Sequence, residues 1–303
     1  MLIESDWLAA HLDDPAVRVV EVDVSAAAYD QWHIDRAVLW NVYTDLKDDR
    51  YRPVDTAAFE RLVSRSGIEP HSTVVLYGYA PALGYWLLKL HGHGDVRILN
   101  CSRDAWRADG HTWSSVPSRW PATRYRLVNR NGQLRASRET VRAVIGEPGT
   151  TLLDVRSAAE FAGQRFWPSG GMQPGGHAGH IPTAVHQPLD GLYDERGAFC
   201  SAVTLRQVLK TVDLDADGEL ITYCAIGGRA ATAWYVLTEL LGRDRVRVYD
   251  GSWAEWGLAP HSPIETTTSH GGRHVCTRPQ EPRHPRRGAP VRGRQRSAGT
   301  GQP

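Results

Sequence analysis

The sequence predicts an α/β protein made of two similar halves, each a parallel sheet flanked by helices on both faces. Two observations support this prediction. Short apolar runs of strand character alternate with segments of helical periodicity, which is typical of parallel sheets whose crossovers are helices. Several segments of the second half also repeat segments of the first half in the same order, which indicates an internal duplication. A chain of 303 residues is long enough for two modest cores.

In the first half, the clearest element is an amphipathic helix over residues 55–66, in which Phe59, Leu62 and Val63 share one face and Gly67 follows the last turn. The other predicted elements are strands at residues 18–23, 38–42, 73–77 and 96–99 and helices at residues 82–90 and 102–108. In the second half we predict strands at residues 151–155 and 220–223 and helices at residues 137–145, 157–161, 204–212 and 230–241.

The two halves differ at one position that matters for chemistry. Residues 33–38, 74–78 and 96–100 correspond to residues 180–185, 220–224 and 246–250, and Trp106 corresponds to Trp256. In this correspondence Gly78 stands where the second copy has Cys224. We therefore expect the first copy to be chemically silent.

Cys224 lies at the end of a predicted strand, before Gly227, Gly228, Arg229 and the following helix. A strand that leads through a tight loop into a helix directs several backbone N–H groups toward the centre of the loop, and the helix dipole adds partial positive charge there. Such a loop favours the thiolate form of a cysteine. A buried cysteine at the end of a core strand is the plainer alternative, but the two glycines and Arg229 favour a reactive thiol.

Residues 223–230 (YCAIGGRA) resemble the active-site loop of the thiosulfate sulfurtransferases, or rhodaneses. Further matches to the two-domain form of that family follow in the same order: LLDVRS at residues 152–157 with Glu160 and Phe161, GHIP at residues 179–182, and VYDGSW at residues 248–253. With the first-half counterparts, the resemblance extends to about residue 265. It implies two tandem rhodanese-like domains.

On this basis the chain divides into four parts. We predict a catalytically silent domain at residues 1–120, a linker at residues 121–136, a catalytic domain at residues 137–265 and a disordered tail at residues 266–303. The tail has eight arginines, one glutamate and almost no apolar residues, so it cannot form a core. The tail has a charge of +7, so the rest of the chain carries −6, which gives the net charge of +1. Because the folded part is mildly acidic, we expect no nucleic-acid partner.

Composition also indicates the compartment. No apolar run approaches the roughly 20 residues that a membrane helix needs, and the acidic N-terminal segment lacks the basic start of a secretory signal. We therefore expect a cytoplasmic protein with no membrane partner. The four cysteines (Cys101, Cys200, Cys224 and Cys276) lie far apart and form no CxxC pair, so we expect no disulfide framework, no metal and no cofactor.

The resemblance implies sulfur transfer in two steps. Cys224 takes the outer sulfur of thiosulfate, which releases sulfite and leaves a persulfide, and an acceptor such as cyanide or a thiol then removes that sulfur. Backbone N–H groups would hold the negative charge of the persulfide, and Arg229 would meet the anionic end of the donor. The residues expected to bind substrate are Ala225, Ile226, Gly227, Gly228, Arg229 and Ala230.

Three further residues are expected to support the site. Asp154 and Arg156 match the DxR element of the family, and we expect Asp154 to hold the loop backbone or Arg156 to pair with a carboxylate. A direct contact of Arg156 with substrate is the alternative. Trp253 either borders the cleft between the domains or packs in the core. For Arg229 the alternative is a structural salt bridge.

Other functions remain open on the sequence. Ala225 stands where many family members have arginine, so a donor-binding charge is missing and 3-mercaptopyruvate is the alternative donor. Protein phosphatases of the CX5R type use a similar loop, but Cys224 and Arg229 are five positions apart where phosphatases have six. A rhodanese-like binding module without catalysis is the alternative of another class.

Overall fold

The computed structural model describes residues 1–127 and 131–267 and the backbone of Arg273–Val275. It contains two α/β units, each built on a parallel sheet with helices on both faces, which confirms the predicted fold class.

The first unit is formed by β1 (Leu2–Ile3), α1 (Ser5–His11), β2 (Val17–Asp23), α2 (Ala26–Gln31), β3 (His33–Ile34), β4 (Val38–Asn41), α3 (Thr56–Arg65), β5 (Thr73–Tyr77), α4 (Pro81–Leu90), β6 (Val96–Leu99), α5 (Arg103–Ala108) and β7 (Trp113–Ser114). A 3₁₀ turn at Gly132–Leu134 precedes the second unit. That unit is formed by α6 (Arg138–Ala143), β8 (Thr150–Asp154), α7 (Ala158–Phe161), β9 (Val185–His186), α8 (Ala202–Val208), β10 (Glu219–Tyr223), α9 (Gly228–Tyr235), a π-helical turn at Val236–Leu240, β11 (Val246–Val248), α10 (Ser252–Trp256), β12 (Glu265–Thr267) and β13 (Arg273–Val275).

The two main sheets have equivalent topology. The first has the order β1-β6-β5-β2-β4 and the second the order β11-β10-β8-β9, and all their strands are parallel. Arg135 pairs in parallel with Val248, at the edge where β1 lies in the first sheet. The carboxyl ends of β5 and β10, at Tyr77 and Tyr223, therefore occupy the same place in each unit. Ligands of open α/β sheets bind at this end of the strands.

Contacts that recur in both units show the duplication directly. The hydroxyl of Tyr77 accepts a hydrogen bond from the Ile34 N–H at 3.0 Å, and the hydroxyl of Tyr223 accepts one from the Ile181 N–H at 3.2 Å. A stacked aromatic pair also recurs, His33 on Tyr29 in the first unit and His180 on Phe161 in the second. The halves thus share their scaffold and differ in the loops that follow β5 and β10.

The predicted helices form with small differences at their ends. The side chains of Asp55, Ser137 and Ser157 accept N–H bonds in the first turns of α3, α6 and α7, because a polar side chain at this position satisfies amides that the helix leaves unpaired. The helix predicted from residue 230 begins two residues earlier, at Gly228, where the left-handed Gly227 leads directly into it. Its predicted end at residue 241 follows the π-helical turn.

Helices α4 and α9 pack against each other and join the two units. Eight of the ten residues of α4 and five of the eight residues of α9 are buried, because each helix packs on its own sheet and on the other unit. Tyr85 of α4 meets Tyr235 of α9 edge to face, with ring centroids 4.8 Å apart. A single hydrophobic cluster extends from β2 and β5 through this contact into β8 and β10.

The predicted domain boundaries stay predictions. Residues 128–130 of the predicted linker and most of the predicted tail lie outside the described residues. The chain is ordered slightly beyond the predicted boundary at 265, since Glu265–Thr267 pairs in antiparallel fashion with the backbone of Arg273–Val275. Within residues 1–127 and 131–267, no helix is both long enough and apolar enough to cross a membrane.

Because one core spans both units, we expect the protein to unfold in a single cooperative transition. Tyr85→Ala should destabilise the whole protein by about 3–5 kcal/mol, since it removes a buried aromatic ring at the contact between α4 and α9. Urea unfolding followed by far-ultraviolet circular dichroism and by tryptophan fluorescence measures this. Tyr79→Ala, at a residue 71% exposed, is the control and should change stability by less than about 0.5 kcal/mol. Two separate transitions, of which only one shifts, would contradict the expectation.

Candidate active site

The loop after β10 places Cys224 in a cleft between the two units. Cys224 is 1% exposed and lies directly before the loop that leads into α9. The cleft has a volume of about 330 Å³ and receives residues from both units. From the first unit it is lined by Val24, Val42, Tyr43, Tyr79 and Ala80, and from the second by Val155, Arg156, Ser157, Pro168, Pro188, Leu189, Asp190, Leu192, Tyr193, Cys224, Ala225, Ile226, Gly228, Arg229 and Thr232.

Hydrogen bonds hold the Cys224 sulfur and backbone from two directions. The Gly227 N–H donates to Cys224 Sγ at 3.1 Å. The Cys224 N–H donates to Ser252 Oγ at 3.1 Å, and Ser252 Oγ donates to the Tyr249 carbonyl at 2.8 Å. The Trp253 N–H donates in turn to the Cys224 carbonyl at 2.9 Å. The start of α10 therefore fixes the loop, while the loop itself presents an N–H group to the sulfur.

Gly227 is required by both conformation and space. Its φ of +94° lies in the left-handed region, which side chains disfavour. A Cβ atom at this position would also lie 2.8 Å from the Asp250 carbonyl oxygen. Only glycine allows the chain to turn here and to direct its N–H group at the sulfur.

The start of α9 adds further N–H groups near the thiol. The amides of Gly228, Arg229 and Ala230 belong to the first helical turn, where a helix offers no acceptor of its own. Gly228 and Arg229 line the cleft beside Ala225 and Ile226, whereas Ala230 is buried. Of the residues predicted to bind substrate, four thus line the cleft, and Gly227 contacts the sulfur.

Arg229 is held by a carboxylate. Its guanidinium donates two hydrogen bonds to Glu160, at 3.0 and 2.8 Å, and Glu160 is fully buried. Burial alone would raise the pKa of Glu160, but hydrogen bonds from Arg229 and Ser157 outweigh burial and hold that pKa below its usual value. Glu160 also caps α7 through Ser157. The arrangement matches the alternative of a structural salt bridge, although the Arg229 side chain is 31% exposed toward the cleft.

Asp154 and Arg156 form a second, completely buried ion pair. Arg156 donates to both carboxylate oxygens of Asp154, with a shortest distance of 2.5 Å, and to the Gly179 carbonyl at 2.6 Å. Its guanidinium also lies 4.3 Å from the centre of the Trp253 ring. Arg156 Nη1 is buried without a hydrogen-bond partner, and Arg156 is among the residues that line the cleft. The expected pairing with a carboxylate is present, and the partner is Asp154 itself.

Trp253 lies in the core and does not line the cleft. It is fully buried and its indole N–H donates to the His177 carbonyl at 3.0 Å. His180 also has a structural environment, because its ring stacks on Phe161 and its Nδ1 lies 2.8 Å from the Phe161 carbonyl. Of the two places predicted for Trp253, the structure has the core.

Sequence reasoning missed the functions of three residues. Glu160 and Ser252 lie inside segments that match the family. The pattern does not reveal that Glu160 binds Arg229 or that Ser252 binds the Cys224 N–H. Lys47 of the first unit has no such signal, yet it reaches the turn between β11 and α10, where its Nζ donates to the Asp250 carbonyl at 3.2 Å. In the part of the chain that the structure describes, no group of three or more His, Cys, Asp or Glu side chains is placed to hold a metal ion.

Comparisons with known proteins agree with this geometry. The rhodanese-like domain family matches the chain twice, at residues 4–109 and 137–259. The chain is 41% identical over 271 residues to "Putative thiosulfate sulfurtransferase SseA" of Mycobacterium tuberculosis, with 87% of this chain and 90% of the relative covered. It is 38% identical over 277 residues to a "Putative thiosulfate sulfurtransferase" of Saccharopolyspora erythraea, with 89% and 98% covered.

Solved structures show the same fold at lower identity. The chain superposes on EanB with a TM-score of 0.77 at 20% identity, covering 88% of this chain and 69% of EanB. It superposes on YnjE with a TM-score of 0.75 at 23% identity, covering 88% and 68%. The protein belongs to the rhodanese family and contains two rhodanese-like domains.

The ion pair between Glu160 and Arg229 should make stability depend on pH. Ionised Glu160 has a lowered pKa in the folded protein, so its contribution is complete above its unfolded pKa and is lost as pH falls through the lower folded pKa. Glu160→Gln should therefore cost about 2–3 kcal/mol at pH 7, and the difference from wild type should shrink below about pH 4. Urea unfolding of both proteins across this range measures it.

The matched control is Glu139→Gln, which removes an ion pair with Arg138 in which the carboxylate is 74% exposed. It should cost less than about 1 kcal/mol at any pH. If the loss in Glu160→Gln is the same at pH 7 and below pH 4, it comes from packing and not from the charge.

Proposed function

We propose that the protein is a sulfurtransferase that moves the outer sulfur of thiosulfate to cyanide or a thiol through a persulfide on Cys224. The observation that supports it most directly is the hydrogen bond from the Gly227 N–H to Cys224 Sγ at the start of α9. A backbone donor aimed at a sulfur beside a helix N-terminus stabilises a thiolate before transfer. The same donor stabilises the negative charge of a persulfide after transfer.

The chemistry divides into two displacements at sulfur. In the first, the Cys224 thiolate attacks the outer sulfur of thiosulfate, the S–S bond of the donor breaks, and sulfite leaves with the bonding electron pair. In the second, the acceptor attacks the outer sulfur of the persulfide and the Cys224 thiolate leaves. Neither displacement needs a histidine base if the thiolate is already formed, and no histidine lines the cleft among the residues that the structure describes.

The charges at the cleft affect the choice of donor. Arg156 is paired with Asp154 and Arg229 with Glu160, and the loop position after the nucleophile is the uncharged Ala225. Backbone N–H groups and the exposed part of Arg229 would therefore hold the thiosulfate dianion. We therefore expect this site to bind thiosulfate more weakly than a site with arginine after the nucleophile, and 3-mercaptopyruvate is the second candidate donor.

Two functions of other classes have less support. A phosphatase of the CX5R type has its cysteine and arginine six positions apart, whereas Cys224 and Arg229 are five positions apart and form a smaller loop. A binding module without catalysis has no need of a sulfur positioned by Gly227 and Ser252. A cytoplasmic location also belongs to the proposal, because Cys101, Cys200 and Cys224 are free thiols and a reducing compartment keeps thiols free.

Intact mass spectrometry tests the proposed function. Treatment with thiosulfate should add one sulfur atom to the purified protein, and cyanide should remove it, because the persulfide sulfur is electrophilic. Cys224→Ser is the control and should show no gain. A gain only with 3-mercaptopyruvate would replace the donor and keep the mechanism, whereas no gain with either donor would favour the binding module.

Restoring a charge next to the nucleophile should strengthen thiosulfate binding. Ala225→Arg should lower KM for thiosulfate about tenfold with little change in kcat, because a charge-assisted hydrogen bond to the donor contributes about 1.5 kcal/mol. Ala225→Gln has a long uncharged side chain and is the matched control. Initial-rate kinetics at low and high ionic strength measure both variants. An equal fall of KM in both would assign the effect to contact area and not to charge.

A further inference from the structure

Lys47 is a buried lysine of the first unit that reaches into the second. It lies between β4 and α3 and is 3% exposed, and its backbone pairs with Pro53. Its Nζ donates to the carbonyl of Asp250 at 3.2 Å. Asp250 follows β11 and precedes α10, the helix whose first residues hold the Cys224 backbone. The lysine thus crosses from one unit to the underside of the active-site loop.

Its ammonium group lies against Gly227. A Cβ atom on Gly227 would be 3.1 Å from Lys47 Nζ, so the lysine occupies part of the space that a side chain at this position would need. On its other side, Gly227 donates its N–H to Cys224 Sγ at 3.1 Å. Lys47 Nζ and the Cys224 sulfur therefore lie beside the same glycine.

Within residues 1–127 and 131–267, Lys47 forms no ion pair. The nearby carboxylate of Asp250 is taken by Arg135, with a shortest distance of 2.5 Å. Burial lowers the pKa of Lys47. The charges of Asp250, Cys224 and Asp48 act to raise that pKa, and the charge of Arg135 acts to lower it further. Burying an ammonium group without a carboxylate partner costs free energy. The energy of the buried ammonium group therefore depends strongly on any negative charge on a nearby atom. The Cys224 sulfur is the group in this environment whose charge changes during the reaction.

We infer that Lys47 is a positioning residue that stabilises the negative charge on the Cys224 sulfur, first as thiolate and then as persulfide. It acts through space across Gly227 and does not touch the donor, because it is buried beneath the loop and does not line the cleft. Arg229 faces the same sulfur from the cleft side, but its charge is largely balanced by Glu160. Lys47 supplies the unbalanced positive charge.

The inference changes the role of the first domain. Although Gly78 replaces the nucleophile there, the domain contributes a charge to the nucleophile of the second. The active site is incomplete in the second domain alone. This rests on the proposed function for the persulfide, while the effect on the thiolate can be measured without any sulfur donor.

The test compares Lys47→Met, which removes charge and donor, with Lys47→Gln, which removes the charge and keeps an N–H donor for the Asp250 carbonyl. The exposed Lys210→Met is the control. The rate of iodoacetamide reaction at Cys224 is followed by peptide mass mapping from pH 6 to pH 10. Both Lys47 variants should react about tenfold more slowly at pH 7, because the loss of a nearby positive charge disfavours the thiolate, and the difference from wild type should shrink toward pH 10.

Steady-state kinetics separate positioning from binding. Both Lys47 variants should lower kcat severalfold and leave KM for the sulfur donor nearly unchanged, because the lysine does not contact the donor. Circular dichroism and urea unfolding check the fold, and Lys47→Gln carries the test if the methionine variant does not fold. Wild-type reactivity in Lys47→Gln would overturn the inference and leave only a structural hydrogen bond to Asp250. If wild type reacts faster than both variants but gains no sulfur from either donor, the proposed function fails and the role of Lys47 stands.

Discussion

The packing of α4 against α9 is the constraint on which the rest of the structure depends. Both helices start from the loops that follow the central strands β5 and β10, and each has an apolar face that must be buried. Burying them against each other removes a large apolar area from water, which is the main favourable contribution to folding. It also brings the first unit beside the loop of Cys224. The cleft and the contact of Lys47 with Gly227 follow from this arrangement.

The site controls charge mainly with backbone groups. Arg156 and Arg229 each have a fixed carboxylate partner, so little of their positive charge is free. Their planar guanidinium groups mainly hold β8, α7 and α9 together. The sulfur receives an N–H group from Gly227, and the loop around it is anchored by Ser252. Ser252 has a φ of +52°, an uncommon value for a residue with a side chain, which places its hydroxyl at the Cys224 N–H. Oriented donors of this kind stabilise charge without moving during the reaction.

The duplication shows which parts of an ancestral unit the fold needs. The bond between a strand tyrosine and the N–H of Ile34 or Ile181 is kept in both halves, as is the stacked histidine. The loop after the central strand differs between the halves, and it lies at the end of the sheet where open α/β proteins bind ligands. Gly78 and Cys224 are part of that difference.

The sequence by itself determined the fold class, the order of the strands and helices along the chain, the duplication and the position of the candidate nucleophile. Each of these depends on local pattern: period, capping residues and the short motif around Cys224. Only the tertiary structure decided which distant polar groups meet. Arg229 and Glu160 are 69 positions apart and Lys47 and Asp250 are 203 apart, so no local pattern links them. Whether a carboxylate balances the charge of Arg229 or of Lys47 depends on burial and on the angle between the packed units. Sequence periodicity encodes neither of these.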